Sequence, residues 1–396
     1  MSEETNNVLF ITINDLTEES GNSVATREVV KTFARNDRVR MVLVCPEFSS
    51  EGTDDISENV EAVYPIPRQG SLSVGTALKG QAQLVRGLRS ALQNHSFDFA
   101  VARMHPTLVA PLPFLRRHDL PYVLLARGMS HHSLRFSAVL RRIFWLNARA
   151  ADAIYAAHQD VKQDADSARR SDQPEARVFP NAVDPDLFPV SSVEASRDGL
   201  DLPLNAGDFV VGSVSTFKKY HRISDMVEAV ARLNEESDGS IKALVVGDGP
   251  QREHIESVAE REGVREETIF TGFVPHEEVH RYISASDVLY GGVDPDSPGN
   301  AIKCYEYLAC ERPIITDRRP EFEFVSEQDV GVLIDLVDEQ AIAQALANLY
   351  SMDAERRLEM GERGRAYVLD NHTWDALVET ILSDASTTLQ LSRQVA

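Results

Sequence analysis

Short apolar runs, rich in β-branched residues, alternate with amphipathic helical stretches along the chain. In the first half these runs predict strands at Val8–Ile13, Val39–Cys45, Val60–Ile66, Phe97–Ala102, Tyr122–Ala126 and Ala153–Ala157. In the second half they predict strands at Phe209–Val214, Ile241–Val246, Thr268–Phe270, Val288–Tyr290, Pro313–Thr316 and Gly331–Ile334. Alternating strands and helices predict doubly wound parallel sheets with helices on both faces.

With 396 residues, the chain is too long for one ordinary core. Proline and glycine punctuate the polar stretch 189–207, which predicts a linker. We therefore expect two Rossmann-like α/β domains, 1–188 and 208–373, followed by an amphipathic helix in 374–396. Ligands of such sheets bind at the carboxyl ends of the strands, so we expect the domains to face each other across a ligand-binding cleft.

Composition excludes several classes of protein. No apolar run is long enough to span a membrane, and the polar stretch Met1–Asn7 does not resemble a secretory signal. The three cysteines lack metal-site spacing, and we expect Cys304 and Cys310 to share a helix. So few cysteines indicate a reducing compartment, and we expect a cytoplasmic protein. A net charge of −22 argues against nucleic-acid binding.

The charges are unevenly composed and unevenly placed. Seven lysines stand against 33 arginines, and an acidic chain with few lysines suits concentrated salt, so we expect a halophilic source. An ordinary acidic mesophilic protein is the alternative. Residues 62–151 carry twelve Lys/Arg and two Asp/Glu, a balance of +10, which leaves −32 for the rest of the chain.

Arginines alternate with large apolar and aromatic residues at helical spacing in 134–149. Such a helix can lie on a membrane with its arginines at lipid phosphates. The alternative is a helix packed in the core, filled by Phe136, Val139, Leu140 and Ile143, with its arginines merely solvated.

A Gly/Pro-rich loop, Gly291–Gly299, follows the strand Val288–Tyr290 and opens a helix. Free backbone N–H groups at that helix start form an anion site that suits a diphosphate. Lys303 and Glu306 share one helix face, where a lysine can neutralise phosphate and a carboxylate can accept hydrogen bonds from ribose hydroxyls. The alternative is a surface ion pair between the two side chains.

Three other strand ends carry candidate ligand contacts in the second half. Gly247-Asp248-Gly249-Pro250 lacks the third glycine of a dinucleotide fingerprint, which disfavours NAD, and Asp248 either contacts substrate or belongs to a simple turn. Gly272 permits close approach of the backbone, so Gly272, Phe273 and Val274 can frame a base. Phosphate contacts are predicted at Ser215, Thr216, Lys219 and His221, for which a solvated basic loop is the alternative.

The first half offers Gly21 at a helix start and Arg127 after the strand Tyr122–Ala126. Four histidines of this half, His105, His118, His131 and His132, lack the spacing of a zinc site, so we predict no metal.

Read in order, these motifs resemble glycosyltransferase family 4, the retaining sugar-nucleotide transferases of the GT-B fold. The resemblance is strongest from Arg177 to Trp374. It rests on Phe179-Pro180-Asn181-Ala182-Val183-Asp184, Gly247-Asp248-Gly249-Pro250, Phe270-Thr271-Gly272-Phe273-Val274, Lys303-Cys304-Tyr305-Glu306-Tyr307-Leu308-Ala309 and His372-Thr373-Trp374.

The resemblance implies transfer of a sugar from a nucleotide diphosphate, with retained configuration and without a metal or other cofactor. It implies that Lys303 and the amides of Gly299, Asn300, Ala301 and Ile302 stabilise the leaving diphosphate, and that Glu306 holds the ribose. Gly21 and Arg127 would approach from the first domain, to which the helix in 374–396 crosses back. Because that domain binds the acceptor in this fold, its positive charge suggests an anionic acceptor, such as a polyprenyl-phosphate-linked glycan at the inner face of a membrane.

The sequence departs from the family pattern at several positions. Pro298 replaces a frequent first glutamate, for which Asp294 or Asp296 can substitute, and Thr216 and His221 replace a common Arg…Lys pair. Arg127 stands where many members have a histidine. Two rival functions therefore stay open: a sugar-nucleotide epimerase of the same fold, and a catalytically silent nucleotide-binding subunit.

Overall fold

The computed structural model describes residues 5–18, 21–48, 54–68, 74–105, 115, 117–127, 138–294 and 302–395. Their contacts divide them into two compact units. The first comprises the described residues of 1–180 and 374–395, and the second those of 181–294 and 302–373. The N-terminal stretch of the first unit therefore ends at Pro180, whereas we predicted the first domain to extend to residue 188.

The stretch 189–207, predicted as a linker, belongs to the second unit and contains the helix Val193–Asp198. Ser192 caps this helix by accepting a hydrogen bond from the Ala195 amide at 3.2 Å. Arg197 ties it to the unit, because its Nη2 donates to Asp287 Oδ2 at 2.7 Å. Polar composition and prolines therefore indicated a boundary where the structure has a packed segment.

In the described part of the first unit, the sheet contains seven parallel strands in the order β3-β2-β1-β4-β5-β6-β7. Their bounds are β1 Asn6–Ile11, β2 Val39–Pro46, β3 Ala62–Ile66, β4 Phe99–Arg103, β5 Tyr122–Ala126, β6 Ala153–Ala156 and β7 Arg177–Val178. The strand order reverses between β1 and β4, which is where such sheets bind ligands. All six predicted strands are present, and among the strands of the described residues only the two-residue β7 was not predicted.

The described helices of this unit lie on both faces of its sheet. They are Gly21–Arg35, Asp54–Asn59, Val74–Asn94, Ala138–Ala150, Gln159–Ala168 and Trp374–Val395. On one face Leu9, Ala100 and Leu124 of the strands pack with Leu88 and Phe144. The helix Trp374–Val395 completes the core of this unit by burying Trp374, Leu377, Val378 and Ile381.

Over 181–294 and 302–373, the second unit has a six-stranded parallel sheet in the order β10-β9-β8-β11-β12-β13. Its strands are β8 Phe209–Ser215, β9 Ile241–Gly247, β10 Thr268–Gly272, β11 Val288–Tyr290, β12 Ile314–Asp317 and β13 Gly331–Ile334. Its described helices are Val193–Asp198, Ile223–Glu236, Arg252–Arg261, Val279–Ser284, Ile302–Ala309, Phe324–Glu327, Glu339–Tyr350 and Ala354–Asn371. The order reverses between β8 and β11, so the ends of these strands mark the expected ligand edge.

Local chemistry explains two features near that edge. Gly247 has a φ of +121°, and a Cβ there would overlap the Ser215 carbonyl oxygen, so only glycine allows the turn after β9. Cys304 lies within Ile302–Ala309, but Cys310 follows the helix end, so the two cysteines do not share the helix as predicted. The helix stops because Glu311 adopts a left-handed φ of +57°.

Candidate functional site

The helix Ile302–Ala309 is buried along almost its whole length, and its packing brings Lys303 close to the end of β8. Tyr307 fixes this position, because the Val214 amide donates to its hydroxyl at 2.8 Å and the hydroxyl donates to the Val214 carbonyl at 3.2 Å. On the other side Tyr305 packs against the rings of Phe322 and His372. These contacts leave little freedom in where Lys303 lies.

Lys303 is 7% exposed, and its Nζ has no hydrogen-bond partner among the described residues. Burial lowers the pKa of Lys303 to about 8, against the opposing effects of Cys304, Asp317 and Glu306. An unpartnered buried ammonium is costly. The surface ion pair considered for Lys303 and Glu306 is not formed, since both are buried and Glu306 has another partner.

That partner is His276, whose Nε2 lies 2.9 Å from Glu306 Oε1. Sequence analysis missed His276, although it follows the candidate base-framing segment Gly272–Val274 by only two residues. The Phe188 ring packs edge-on against the imidazole at 5.7 Å between centroids. The histidine therefore fixes one carboxylate oxygen of Glu306.

Two further polar atoms at the end of β8 are buried without partners among the described residues: Ser215 Oγ and His221 Nδ1. Burial, together with the charges of Lys303 and Lys218, lowers the pKa of His221 to about 2, so the imidazole is neutral. Ser215 ends β8, one of the two strands at the order reversal, and the charge of Lys303 acts on His221 in the segment that follows. Each of these three residues has a buried polar atom without a partner in the described residues.

Lys219 and Thr216 are exposed. Lys219 lines a cavity of about 200 Å³ together with Lys218, Arg222, Gln251 and His254. Lys218, the neighbour of Lys219 in sequence, is one of the two lysines whose charge acts on His221. Sequence analysis also missed the buried Asp317, which accepts from the Val293 amide at 3.0 Å and acts on Lys303.

The segment after β10 is open to solvent at its tip. Gly272 has a φ of +73°, Phe273 is 63% exposed and Val274 is half-buried. After β9, Asp248 Oδ1 accepts from the Gly249 amide at 2.7 Å, and Oδ2 lies 3.4 Å from Arg252 Nη1. These contacts are those of a local turn, the alternative considered for Asp248.

Several predicted positions fall outside the described residues: Gly299, Asn300, Ala301, Pro298 and Asp296. Ile302 is the first residue of its helix. Asp294 is described, and its amide donates to the Tyr220 carbonyl at 2.8 Å. Its charge is one of those that raise the pKa of Arg222, an arginine that follows β8.

In the first unit, Gly21 begins the helix Gly21–Arg35, and a Cβ on it would meet nothing within 4 Å. Arg127 is only 1% exposed. Its Nη2 donates to the carbonyls of Phe179 and Pro180 at 2.5 and 2.9 Å, and its guanidinium lies 5.4 Å from the Trp374 ring centroid. The arginine that was predicted to approach from the first domain is thus anchored by its own unit.

The helix Ala138–Ala150 divides its residues between core and solvent. Phe144 and Ala148 are buried and Ile143 packs against the same core. Val139, Trp145 and Leu146 are 67%, 41% and 49% exposed, and they share the outer surface with the exposed Arg141, Arg142 and Arg149. The core alternative therefore holds for Ile143 and not for Val139; Phe136 and the side chain of Leu140 lie outside the described part.

Two parallel α/β sheets of this kind, in two units, have the architecture of the GT-B fold. Sucrose-phosphate synthase from Thermosynechococcus elongatus has the same fold, with a TM-score of 0.74 and 17% identity over 98% of this chain and 99% of that one. Family models described as Glycosyltransferase Family 4 and Glycosyl transferases group 1 match residues 20–187 and 200–381. The chain therefore belongs to glycosyltransferase family 4.

Curated relatives match part of the chain. A 2-deoxystreptamine glucosyltransferase of Streptomyces kanamyceticus is 36% identical over 28% of this chain and 29% of its own length. A GDP-mannose-dependent alpha-(1-6)-phosphatidylinositol monomannoside mannosyltransferase of Mycolicibacterium smegmatis is 32% identical over 33% of this chain and 35% of its own. The chain thus matches about a third of the length of these relatives.

Proposed function

We propose that the protein transfers a sugar from a nucleotide diphosphate to an acceptor with retention of configuration. One observation carries the proposal: Ser215 Oγ at the end of β8, His221 Nδ1 after it and Lys303 Nζ, whose charge acts on His221, are buried without partners among the described residues. A diphosphate can accept hydrogen bonds from a hydroxyl and an ammonium there. The name of the mycolicibacterial relative, which specifies GDP-mannose, also supports a sugar-nucleotide donor.

In the proposed reaction the bond between the anomeric carbon and the diphosphate oxygen breaks, and a bond to the acceptor oxygen forms on the same face. The acceptor proton passes to the departing phosphate oxygen. Lys303 and Ser215 stabilise the negative charge that develops on the diphosphate. Glu306, oriented by His276, accepts hydrogen bonds from the ribose, and Gly272–Val274 frame the base.

The experiment that tests this function is a panel of nucleoside diphosphate sugars, read first by thermal shift and then by release of nucleoside diphosphate with and without acceptor. We expect one donor to stabilise the protein and to be consumed when acceptor is present. Binding measured by calorimetry should be equal with and without a chelator, because cationic side chains hold the diphosphate. Donor consumption that needs no acceptor and yields an epimer, or binding without any turnover, would overturn the transferase proposal.

For the acceptor, we propose a polyprenyl-phosphate-linked or related anionic lipid, reached from the inner face of a membrane. The outer surface of helix Ala138–Ala150 supports this, since Val139, Trp145 and Leu146 are exposed beside three arginines. Apolar side chains can enter the headgroup region while the arginines meet lipid phosphates. None of the described helices is both long and apolar enough to cross a bilayer.

We expect the protein to float with anionic liposomes and not with zwitterionic ones. An Arg141→Ser/Arg142→Ser/Trp145→Ser variant should lose this binding. The matched control is Arg86→Ser/Arg89→Ser, which removes two exposed arginines of the same unit from another helix. The salt concentration must match that of the source, which we propose to be halophilic, because salt screens the arginines. Equal flotation of the triple variant and wild type would refute the membrane surface.

A further inference from the structure

Arg103, at the carboxyl end of β4, is a buried cation for which the reaction above has no use. It is 2% exposed, and its Nε and Nη1 have no hydrogen-bond partner in the described part of the chain. Nor does Arg103 form an ion pair with any described residue. A guanidinium carries five donors and is always charged, so burying it without acceptors is unfavourable unless a ligand supplies them.

The surroundings of Arg103 add positive charge. In the sheet Arg103 is in register with Leu125 of β5, and Arg127 comes two residues after Leu125, just past the end of that strand. Burial is the larger cause that lowers the pKa of Arg103, and the charge of Arg127 is the second cause. The half-buried His105 follows on the same strand end, where burial and then Arg103 lower its pKa to about 4, so it is neutral. Two buried arginines at one edge thus repel each other in the absence of an anion.

The location is one where a ligand can reach these groups. β4 borders β1 at the point where the strand order of the first sheet reverses, and such sheets bind ligands outside the carboxyl ends at this point. Arginine forks match phosphate oxygens in pairs, and a phosphate has enough oxygens for donors from more than one side. The positive stretch 62–151 includes both arginines.

We infer that Arg103, with Arg127 beside it, forms a phosphate-binding site in the first unit. The site recognises a phosphate group of the acceptor; this last step rests on the proposed transferase function, whereas the anion site itself does not. Arg103 is a binding residue in this scheme and does not act on the reacting atoms.

Trp374 provides a reporter, because its ring lies 5.4 Å from the Arg127 guanidinium and the chain has two tryptophans. The background for the measurement is Trp145→Phe/Lys303→Met, which removes the other tryptophan and the lysine proposed to bind the donor diphosphate. The probes are inorganic phosphate and glycerol 3-phosphate. We expect saturable changes in Trp374 fluorescence. Arg103→Gln should weaken the affinity at least about tenfold, as expected when charge-assisted hydrogen bonds are lost. Arg103→Lys, which keeps the charge but not the fork, should weaken it less.

The matched control is Arg117→Gln, an exposed arginine of the same unit, whose affinity should equal that of the background. The unliganded Arg103→Gln protein should melt at a higher temperature, because a buried unpaired charge has been removed. Unchanged phosphate affinity with a lower melting temperature would give Arg103 a structural role and overturn the inference. Competition by vesicles containing phosphatidylinositol, absent with phosphatidylcholine, would identify the source as a lipid headgroup; its failure would identify a water-soluble phosphate.

With Lys303 intact, Arg103→Gln should raise KM for the acceptor and leave the affinity for nucleoside diphosphate unchanged. Phosphate binding through Arg103 without any sugar transfer would preserve the site and refute the transferase. Transfer with an unchanged acceptor KM would preserve the transferase and refute the role of the site.

Discussion

The Lys303→Met variant should lose nearly all donor binding and turnover while keeping its fold. Lys303 Nζ is buried without a partner in the described residues, so a diphosphate bound beside it would contact a desolvated positive charge. Losing such a contact costs about 3 kcal/mol or more, which is two orders of magnitude or more in kcat/KM. Calorimetry with the donor nucleotide and steady-state kinetics measure both effects. A folded Lys303→Met protein with wild-type affinity would refute the diphosphate assignment.

The control is Lys242→Met, a half-buried lysine near the start of β9 and thus at the opposite end of the strands from the ligand edge. It should bind donor as wild type does. The pKa of about 8 for Lys303 adds a pH dependence. Because the anion binds the protonated amine, binding takes up a proton above pH 8, and the donor Kd should rise with pH there. The Lys303→Met variant should lack this dependence.

Glu306→Gln should leave the protein folded and reduce kcat/KM by one to two orders of magnitude. A neutral amide accepts hydrogen bonds from the ribose hydroxyls less strongly than a carboxylate does, and hydrogen bonds to charged groups contribute about 1.5–3 kcal/mol. The contact with His276 can persist, since a glutamine oxygen also accepts. Kinetics on the folded variant, verified by its melting temperature, give the result.

Glu277→Gln is the matched control, because Glu277 is exposed and lies next to His276 in sequence. We expect it to match wild type. His276→Ala should fall between the two, since it frees the Glu306 carboxylate without removing it. Wild-type turnover in Glu306→Gln would show that the carboxylate does not hold the donor.

The strands could be predicted because most are largely buried and rich in apolar residues, as β5 is throughout. Prediction failed for elements that are too short to show a recognisable pattern of apolar residues. β7 has two residues, and the helix Val193–Asp198 has six in a stretch marked by prolines and glycines. In the sequence Arg197 is typical of a solvated residue in a linker, yet its guanidinium donates a hydrogen bond to Asp287, 90 residues away.

The candidate site was predictable where its residues are near each other in sequence, as Lys303 and Glu306 are. His276 and Glu306, which are in contact, lie 30 residues apart in the sequence. Asp317, whose charge acts on the pKa of Lys303, lies on β12, whereas Lys303 lies on the helix Ile302–Ala309. Such contacts depend on packing. Arg103 was overlooked for the same reason: it continues an apolar strand, and only the structure reveals that its guanidinium is buried without acceptors.

The helix Trp374–Val395 belongs to the first unit although the whole second unit precedes it in the sequence. On a ribosome, the residues of the second unit are synthesised as one uninterrupted block before this helix emerges. We therefore expect the second unit to reach its native state first. The first unit would keep a bare apolar strip, where Trp374, Leu377, Val378 and Ile381 later pack, until synthesis passes them. During that interval it is the half of the nascent protein that a chaperone would bind.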